Sequence, residues 1–259
     1  MDEICSLGLD VGSATVKIVA VDTGGRLAWH RLEPAEPRIE DQAARMLACA
    51  RQETAAGPFT PLVATGCGRG LVQQANRRVT EITCHARGIY RELKHGGTLV
   101  DIGGQDSKII SIGPKGDVID FAMNDKCAAG TGRFLENTAR RLHVELQQMG
   151  AVALAAAEEA QISSTCTVFA ESEIVSLIAH GVPVDAILRG LHRSLIERII
   201  AMLHTVGLVP PLMLSGGVVQ NAAIRFMLEQ ESGAPVVLPR HPQLMGAYGA
   251  ALLGLQTPA

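Results

Sequence analysis

Two stretches of this sequence repeat the same pattern of aspartate, glycine and lysine at a constant separation of 91 residues. Each pattern lies between short apolar runs, within residues 4–22 and residues 99–112. The repeated residues are Asp10, Gly12 and Lys17 in the first stretch and Asp101, Gly103 and Lys108 in the second. Apolar runs interrupted by glycine predict β-hairpins. Repetition of a hairpin favours two lobes derived from one ancestral unit, with a coincidence between two glycine hairpins as the alternative.

The chemistry of such hairpin turns suits a phosphate group. Glycine lets the backbone approach an anion closely, and the N–H groups of a turn can bind it. A carboxylate at the end of a strand can hold the water shell of Mg²⁺, which prefers oxygen ligands and keeps several waters. Each hairpin therefore predicts part of a nucleotide site.

A third glycine turn lies within residues 210–221, after an apolar run and before a helical pattern. Its adjacent glycines, Gly216 and Gly217, predict a turn suited to packing flat against a base or a ribose. The sequence contains no Gly-x-x-x-x-Gly-Lys-Ser/Thr segment, and no Gly-x-Gly-x-x-Gly follows a strand. P-loop and dinucleotide-binding sites are therefore excluded, and the nucleotide hypothesis depends on the three glycine turns.

The bulk composition is that of an ordinary globular protein and favours no polyanion as a partner. Of 259 residues, 47% are hydrophobic and 19% are charged, with a formal net charge of -3. No basic block predicts binding to nucleic acid or to an anionic membrane. The acidic start, Met1 to Glu3, lacks the basic region of a signal peptide, so we expect a cytoplasmic protein. The six cysteines are then expected to be reduced, metal-bound or catalytic rather than paired.

Two cysteines precede helical patterns. Cys127 follows the second hairpin, and Cys166 lies before a later helix. The positive end of a helix dipole favours a thiolate or an anionic cluster. The alternative is burial in the core, which is the commoner fate of an isolated cysteine. Zinc binding by Cys84 and His85 is not favoured, because neighbours on a helix diverge by roughly 100° and no partner ligands are close in sequence.

Periodicity predicts the elements between these motifs. Helices are predicted over residues 39–55, 80–88, 144–160 and 244–254. Strands are predicted over residues 27–32, 61–65 and 236–239. The glycine-rich segment 66–70 is interpreted either as a ligand contact or as a tight turn from strand to helix.

In their order along the chain, the two hairpins and the Leu-Ser-Gly-Gly turn resemble the phosphate 1, phosphate 2 and adenosine motifs of the actin, sugar-kinase and Hsp70 ATPase superfamily. Small residues that match the two connecting helices of that superfamily are Ala86, Gly88, Gly246 and Gly249. The resemblance implies an α/β, two-lobed, ribonuclease H-like ATPase fold with a nucleotide cleft between the lobes. Lobe I would comprise residues 1–97, closed by a C-terminal helix at 244–259, and lobe II residues 98–243.

The segments Met123 to Glu136 and Ser163 to Glu173 resemble the activator ATPases of 2-hydroxyacyl-CoA dehydratases and the ATPase subunits of benzoyl-CoA reductase. In that family each protomer of a homodimer supplies two cysteines to one [4Fe-4S] cluster on the two-fold axis. Residue for residue, those ligands are Cys127 and Cys166 here. The resemblance implies ATP-gated transfer of one electron from ferredoxin or flavodoxin to a partner iron-sulfur dehydratase or reductase.

The resemblance also gives each motif a role toward ATP or ADP. We assign Asp10 and Asp101 to the water shell of Mg²⁺, and Gln105 to orientation of the attacking water. Residues assigned to phosphate are Gly12, Ser13, Ala14, Lys17, Gly103 and Gly104. Residues assigned to adenosine are Gly216, Gly217, Gln220 and Asn221. Asp106 and Lys108 are equally well explained as an ion pair at the strand edge.

Two other classes of protein remain as alternatives. A small-molecule kinase of the sugar type on the same fold would need a carboxylate at a substrate hydroxyl and a sugar-shaped pocket. An iron-free interaction protein, actin-like or chaperone-like, would be a colourless monomer or filament. The colour of anaerobically purified protein discriminates these classes from an iron-sulfur electron carrier.

Overall fold

The computed structural model describes residues 3–125, 131–162 and 167–256 of the chain. The chain divides into two units. Unit 1 comprises Met1–Gly96, Ile112–Ile119 and Pro239–Ala259, and unit 2 comprises Gly97–Ser111 and Asp120–Leu238. The predicted cluster ligands Cys127 and Cys166 lie outside the described residues.

A mixed sheet forms the frame of unit 1. Its described strands are β1 (Ile4–Val11), β2 (Thr15–Asp22), β3 (Leu27–Pro34), β4 (Leu62–Thr65) and β5 (Arg77–Arg78), in the order β3-β2-β1-β4-β5. Strand β2 runs antiparallel to β1 and β3, whereas β4 runs parallel to β1 and β5. The central strands are largely buried because they are rich in Leu, Ile and Val, which pack well on a pleated surface.

A second sheet, mostly in unit 2, repeats this strand order. Its described strands are β6 (Gly97–Ile102), β7 (Ser107–Ile112), β8 (Val118–Asn124), β9 (Leu212–Ser215) and β10 (Val236–Val237), in the order β8-β7-β6-β9-β10. Strand β9 runs parallel to β6 and to β10, as β4 does to β1 and β5. Each strand of the first sheet therefore has a counterpart in the second. The predicted repeat extends from the hairpins to both sheets.

Helices cover these sheets. The α-helices among the described residues are α1 (Ile39–Thr54), α2 (Glu81–Leu93), α3 (Gly132–Leu142), α4 (Met149–Ala155), α5 (Thr167–Ala179), α6 (Val184–Val206), α7 (Ala222–Ser232) and α8 (Met245–Gly254). Short 3₁₀ helices are Arg69–Leu71, Val218–Gln220 and Pro242–Leu244. Within the described ranges, no helix combines the length and the apolar character needed to cross a lipid bilayer.

Helices α2 and α8 of unit 1 pack backbone to backbone. A Cβ atom on Gly88 would overlap the carbonyl oxygen of Met245, and one on Gly249 would overlap that of Cys84. Glycine is needed at both positions because no side chain fits into so close a contact. The small-residue faces predicted for these two helices are confirmed.

Unit 2 has its own core, to which α6 contributes a long apolar face. The buried residues Leu188, Leu191, Leu195 and Ile199 recur every three or four positions along α6, which is the period of a helix packed on one side. Each such side chain contributes about 1.5–3 kcal/mol through its burial. Helix α3 adds Phe134 to the same cluster.

The alanine-rich helix predicted over residues 144–160 is wrong in extent. Helix α4 covers only Met149–Ala155, and Ala156 is already extended, with ψ 132°. The N–H of Ala160 donates to the carbonyl of Ala186 in α6 at 3.0 Å. A Cβ atom on Gly190 would overlap the carbonyl of Ala160, so this segment lies directly on α6. Packing on α6 overrides the helix propensity of alanine here.

Strand β8 is an element that the sequence pattern does not predict. It is an edge strand, and most of its side chains are exposed or half-buried. Alternation of apolar and polar residues arises where one face of a strand is buried. Because β8 buries neither face strongly, its sequence lacks that signal.

Candidate nucleotide-binding site

Hairpin 1, formed by β1 and β2 of unit 1, brings its predicted aspartate and lysine together. Asp10 is opposite Lys17 in the strand register, and the Lys17 Nζ donates to the Asp10 Oδ2 at 3.3 Å. The N–H of Gly12 closes the turn by donating to the carbonyl of Thr15 at 3.1 Å. The other predicted residues of this turn, half-buried at its tip, are Ser13 and Ala14. A buried carboxylate and an ammonium group thus lie beside a glycine turn.

Hairpin 2, formed by β6 and β7, has the same geometry. The Lys108 Nζ donates to the Asp101 Oδ2 at 3.4 Å. The N–H of Gly103 donates to the carbonyl of Asp106 at 2.9 Å, three residues on as in hairpin 1. The other predicted residues of this turn are the half-buried Gly104 and the exposed Gln105. The two hairpins therefore share the same atomic contacts as well as the same sequence pattern.

The two hairpins differ in the surroundings of the lysine. Where hairpin 1 has Thr15, hairpin 2 has Asp106, whose Oδ2 lies 2.6 Å from the Lys108 Nζ. The Lys108 side chain is 2% exposed and has ion pairs with both carboxylates of its hairpin. The Lys17 side chain is 15% exposed. The predicted ion pair of Asp106 and Lys108 is confirmed, whereas Lys17 is accessible to an anion.

The strand next to each aspartate ends in a hydroxyl residue followed by a glycine in the left-handed region. Asp10 is opposite Thr65 on β4, and Asp101 is opposite Ser215 on β9. The glycines that follow are Gly66, with φ 90°, and Gly216, with φ 93°. In unit 2 the Ser215 Oγ donates to the Asp101 Oδ1 at 2.7 Å. The second and third predicted motifs are thereby hydrogen-bonded to each other.

Asn221, predicted to contact adenosine, uses both ends of its side chain within unit 2. Its Oδ1 accepts hydrogen bonds from the N–H groups of Ala223 at 2.9 Å and Ile224 at 3.4 Å. These bonds cap the start of α7. Its Nδ2 lies 2.9 Å from the Nε2 of His192. Asn221 therefore positions the turn, and the exposed residues of this motif are Gly217 and Gln220.

His192 is a residue of this site that the sequence does not identify. It is fully buried on α6, and its Nδ1 lies 2.6 Å from the carbonyl of Leu188. The Nδ1–H therefore donates to that carbonyl while Nε2 accepts from Asn221, which requires the neutral ring. Burial, the largest cause, lowers the pKa of His192 below its usual range. Its partner is 29 residues away in sequence, so no local signal links the two.

The cysteines that the structure describes show no metal site. Cys5, Cys49, Cys67 and Cys84 are thiols that take part in no disulfide. In residues 3–125, 131–162 and 167–256, no three His, Cys, Asp or Glu side chains form a group able to hold a metal ion. Burial raises the pKa of Cys84 to about 12, so this thiol stays protonated.

The predicted nucleotide residues are divided between the units. Those in unit 1 are Asp10, Gly12, Ser13, Ala14 and Lys17, and those in unit 2 are Asp101, Gly103, Gly104, Gln105, Gly216, Gly217, Gln220 and Asn221. Within unit 2, the structure joins the phosphate and adenosine motifs through Ser215, to which the prediction gave no role. A hydroxyl directly before the glycine pair is the signal that would have found it.

These features define the class of the protein. Two sheets of equivalent strand order, each with an aspartate–lysine hairpin, belong to the α/β fold of the actin and sugar-kinase ATPases, as predicted. A ROK family glucokinase from Streptomyces griseus has this fold, with a TM-score of 0.62 over 97% of this chain and 99% of that chain at 14% identity.

Within this class, the chain belongs to the BadF/BadG/BcrA/BcrD ATPase family, whose sequence model matches residues 7–254. The chain is 39% identical over 253 residues to the activator of lactoyl-CoA dehydratase from Anaerotignum propionicum, covering 95% of this chain and 96% of that protein. The structure of the activator of 2-hydroxyisocaproyl-CoA dehydratase from Clostridium difficile with bound ADPNP matches with a TM-score of 0.88 and 33% identity, covering 97% of this chain and 94% of that one. The predicted family is confirmed.

Proposed function

We propose that this protein is an ATP-dependent activator that delivers single electrons to a partner iron-sulfur dehydratase or reductase. The observation that carries the proposal is the pair of equivalent aspartate–lysine hairpins, with N–O distances of 3.3 Å and 3.4 Å, in a chain of this ATPase family. A relative at 39% identity is named as a dehydratase activator. ATP binding and hydrolysis gate the electron transfer.

The two hairpins bind the phosphates and Mg²⁺. Asp10 and Asp101 hold the water shell of Mg²⁺, which takes oxygen ligands and keeps several of its waters. Lys17 supplies positive charge to the phosphates, and its partial exposure supports this role. Gln105, exposed at the tip of hairpin 2, orients the attacking water. Residues that bind phosphate through backbone and hydroxyl groups are Gly12, Ser13, Ala14, Gly103 and Gly104.

The third motif holds adenosine. Gly216 and Gly217 present a surface without side chains, and Gln220 is exposed beside them. Asn221 keeps the turn in place through its bonds to α7 and His192. Adenosine selectivity then depends on a turn whose shape is stabilised by the contact of Asn221 with His192 of α6.

Cys127 and Cys166 of two copies of the chain hold one [4Fe-4S] cluster per homodimer. Such a cluster needs four thiolates, and a two-fold axis doubles the two that each chain supplies. The start of α5 at Thr167, directly after Cys166, supports a thiolate there, because a helix N-terminus stabilises negative charge by roughly 0.3–1 kcal/mol. When bound, the cluster would supply one-electron redox chemistry.

Exposed apolar side chains close in sequence to both cysteines support a homodimer. Strand β8, which ends three residues before Cys127, exposes Ile119, Phe121 and Met123 at alternate positions. Helix α5, which follows Cys166, exposes Phe169, Val175 and Ile178. Apolar groups clustered on an exposed surface are typical of a protein interface. A second copy that shares the cluster covers them.

The remaining partners follow from the same role. The electron donor is a ferredoxin or flavodoxin, and the acceptor is an iron-sulfur dehydratase or reductase of CoA thioesters. Such redox chemistry belongs in the cytoplasm, where thiols stay reduced. A low net charge of -3 and the lack of a basic block support protein partners rather than nucleic acid or a membrane.

The test is anaerobic purification followed by reconstitution with iron and sulfide. We expect a brown dimer that hydrolyses ATP and whose visible absorption is lost in Cys127→Ser and Cys166→Ser. Cys49→Ser is the matched control, because this thiol lies in α1 of unit 1 and belongs to no predicted site. A colourless wild-type protein after reconstitution contradicts the proposal, and phosphorylation of a sugar would favour the kinase alternative.

A further inference from the structure

His85 is a buried polar side chain to which the proposed function gives no role. It lies on the buried face of α2, where its buried neighbours include Cys84, Ala86 and Gly88, and it is 7% exposed. Burial of a polar ring lowers stability unless the ring forms hydrogen bonds. A histidine among these small residues therefore points to a polar group on the element that faces it.

Packing of α2 on α8 brings the ring of His85 beside Gly246. The contacts of Gly88 with α8 and of Gly249 with α2 are reciprocal, so a local two-fold axis relates the two helices. Under that axis position 85 corresponds to position 246. The larger side chain of this pair lies on α2, and the glycine of α8 leaves room for it.

The space beside Gly246 is bordered by His85 and by Asp10 of hairpin 1. A Cβ atom on Gly246 would lie 2.8 Å from the His85 Nε2 and 3.0 Å from the Asp10 Oδ2. Each distance is that of a hydrogen bond from one shared point. Nε2 and Oδ2 are therefore close enough for a single water molecule to bond to both.

Hairpin 2 shows what Asp10 gains from such a bond. Asp101 accepts a hydrogen bond from Ser215 in addition to the one from its lysine. Asp10 also accepts from its lysine. The buried hydroxyl of Thr65, at the position equivalent to Ser215, does not bond to Asp10 in the part of the chain that the structure describes. A second donor to Asp10 has to come from another element, and His85 on α2 is placed to supply it.

We propose that His85 is a positioning residue of the phosphate site, which donates from Nε2 through one water to the carboxylate of Asp10. This inference rests on the proposed function, in which Asp10 holds the water shell of Mg²⁺. Groups behind a metal-binding carboxylate fix its orientation and thereby affect the affinity for the metal. Gly246 belongs to the same arrangement, because a side chain there would fill the space between the two groups.

The test is calorimetric titration of the full-length protein with ADPNP, once in excess Mg²⁺ and once in EDTA. For the wild type we expect Mg²⁺ to raise the affinity for ADPNP. In His85→Ala that gain should fall by about tenfold while the affinity in EDTA changes by less than about threefold, because only a bond to the carboxylate is lost. His85→Gln should retain most of the gain, since its amide keeps an N–H donor.

A second variant separates this role from packing of the ring. Gly246→Ala keeps the histidine but inserts a methyl group between Nε2 and Oδ2, so it should lose the Mg²⁺-dependent gain as His85→Ala does. Gly70→Ala is its control, because a Cβ atom there meets nothing within 4 Å. His95→Ala, at a half-buried histidine just beyond the end of α2, is the control for His85 and should bind ADPNP normally.

Two results would overturn the inference and leave the proposed function standing. One is a folded His85→Ala protein that keeps the full gain from Mg²⁺. The other is an equal loss of affinity in Mg²⁺ and in EDTA, which would indicate a purely structural role. If His85→Ala does not fold, Gly246→Ala decides by the same criteria. A wild type that binds no ADPNP, or binds it equally with and without Mg²⁺, would reject the proposed roles of the hairpins together with this inference.

Discussion

The Ser215 Oγ donates a hydrogen bond to the Asp101 Oδ1 at 2.7 Å, between residues 114 positions apart in the chain. Both residues are buried, and they face each other across the parallel strands β6 and β9. The bond joins the carboxylate proposed to hold the Mg²⁺ water shell to the turn proposed to hold adenosine. Two motifs that are separate in sequence therefore act as one group in unit 2.

Ser215→Ala is expected to weaken ATP binding by about tenfold to a hundredfold, because a hydrogen bond to a charged group contributes roughly 1.5–3 kcal/mol. The measurement is isothermal titration calorimetry with ATP and Mg²⁺. Ser194→Ala, at another buried serine of unit 2, is the control and should bind ATP normally. Wild-type affinity in Ser215→Ala would show that the bond has no part in the site.

The two hairpin lysines should respond differently to replacement by methionine. Lys108→Met leaves Asp101 and Asp106 without their buried partner, so we expect the free energy of unfolding to fall by about 3–5 kcal/mol. Lys17→Met should cost less stability and mainly weaken ATP binding, because Lys17 is partly exposed. Urea denaturation and calorimetry on both variants measure the contrast. Equal losses of stability would argue against distinct roles.

Acid should destabilise the protein partly through His192. Burial lowers the pKa of this residue in the folded state. The pKa of histidine in the unfolded chain is about 6.5. As the pH is lowered through this value, the unfolded chain binds a proton that the folded chain does not, so the free energy of unfolding decreases. His192→Gln should reduce the loss in the free energy of unfolding between pH 7.5 and 5.5, as measured by urea denaturation. Part of the loss should remain, because burial also lowers the pKa of His30. An unchanged pH dependence would contradict this role.

Phe121→Lys should dissociate the proposed homodimer, because it places a charge in the apolar face of β8 that a second copy is proposed to cover. Light scattering after size-exclusion chromatography gives the mass of the particle. Phe59→Lys is the matched control, since Phe59 is an even more exposed phenylalanine of unit 1. A dimeric Phe121→Lys protein would exclude this face from the interface.

Local sequence patterns predict the parts of this molecule that are built from neighbours in the chain. The Asp10–Lys17 and Asp101–Lys108 contacts lie within single hairpins, so spacing alone indicates them. The bond of His192 to Asn221 and the bonds of α3 to Gly103 depend on tertiary packing and have no local signal. The extent of α4 could not be predicted for the same reason, because contact of the following segment with α6 ends the helix.

ATP is proposed to gate the delivery of one electron. The most direct measurement is stopped-flow absorption of the reduced, reconstituted protein mixed with a 2-hydroxyacyl-CoA dehydratase, with ATP and Mg²⁺, with ADP, or without nucleotide. We predict rapid loss of the reduced-cluster spectrum only with ATP, accompanied by reduction of the dehydratase. Oxidation at the same rate without nucleotide, or no oxidation with ATP, would contradict the account.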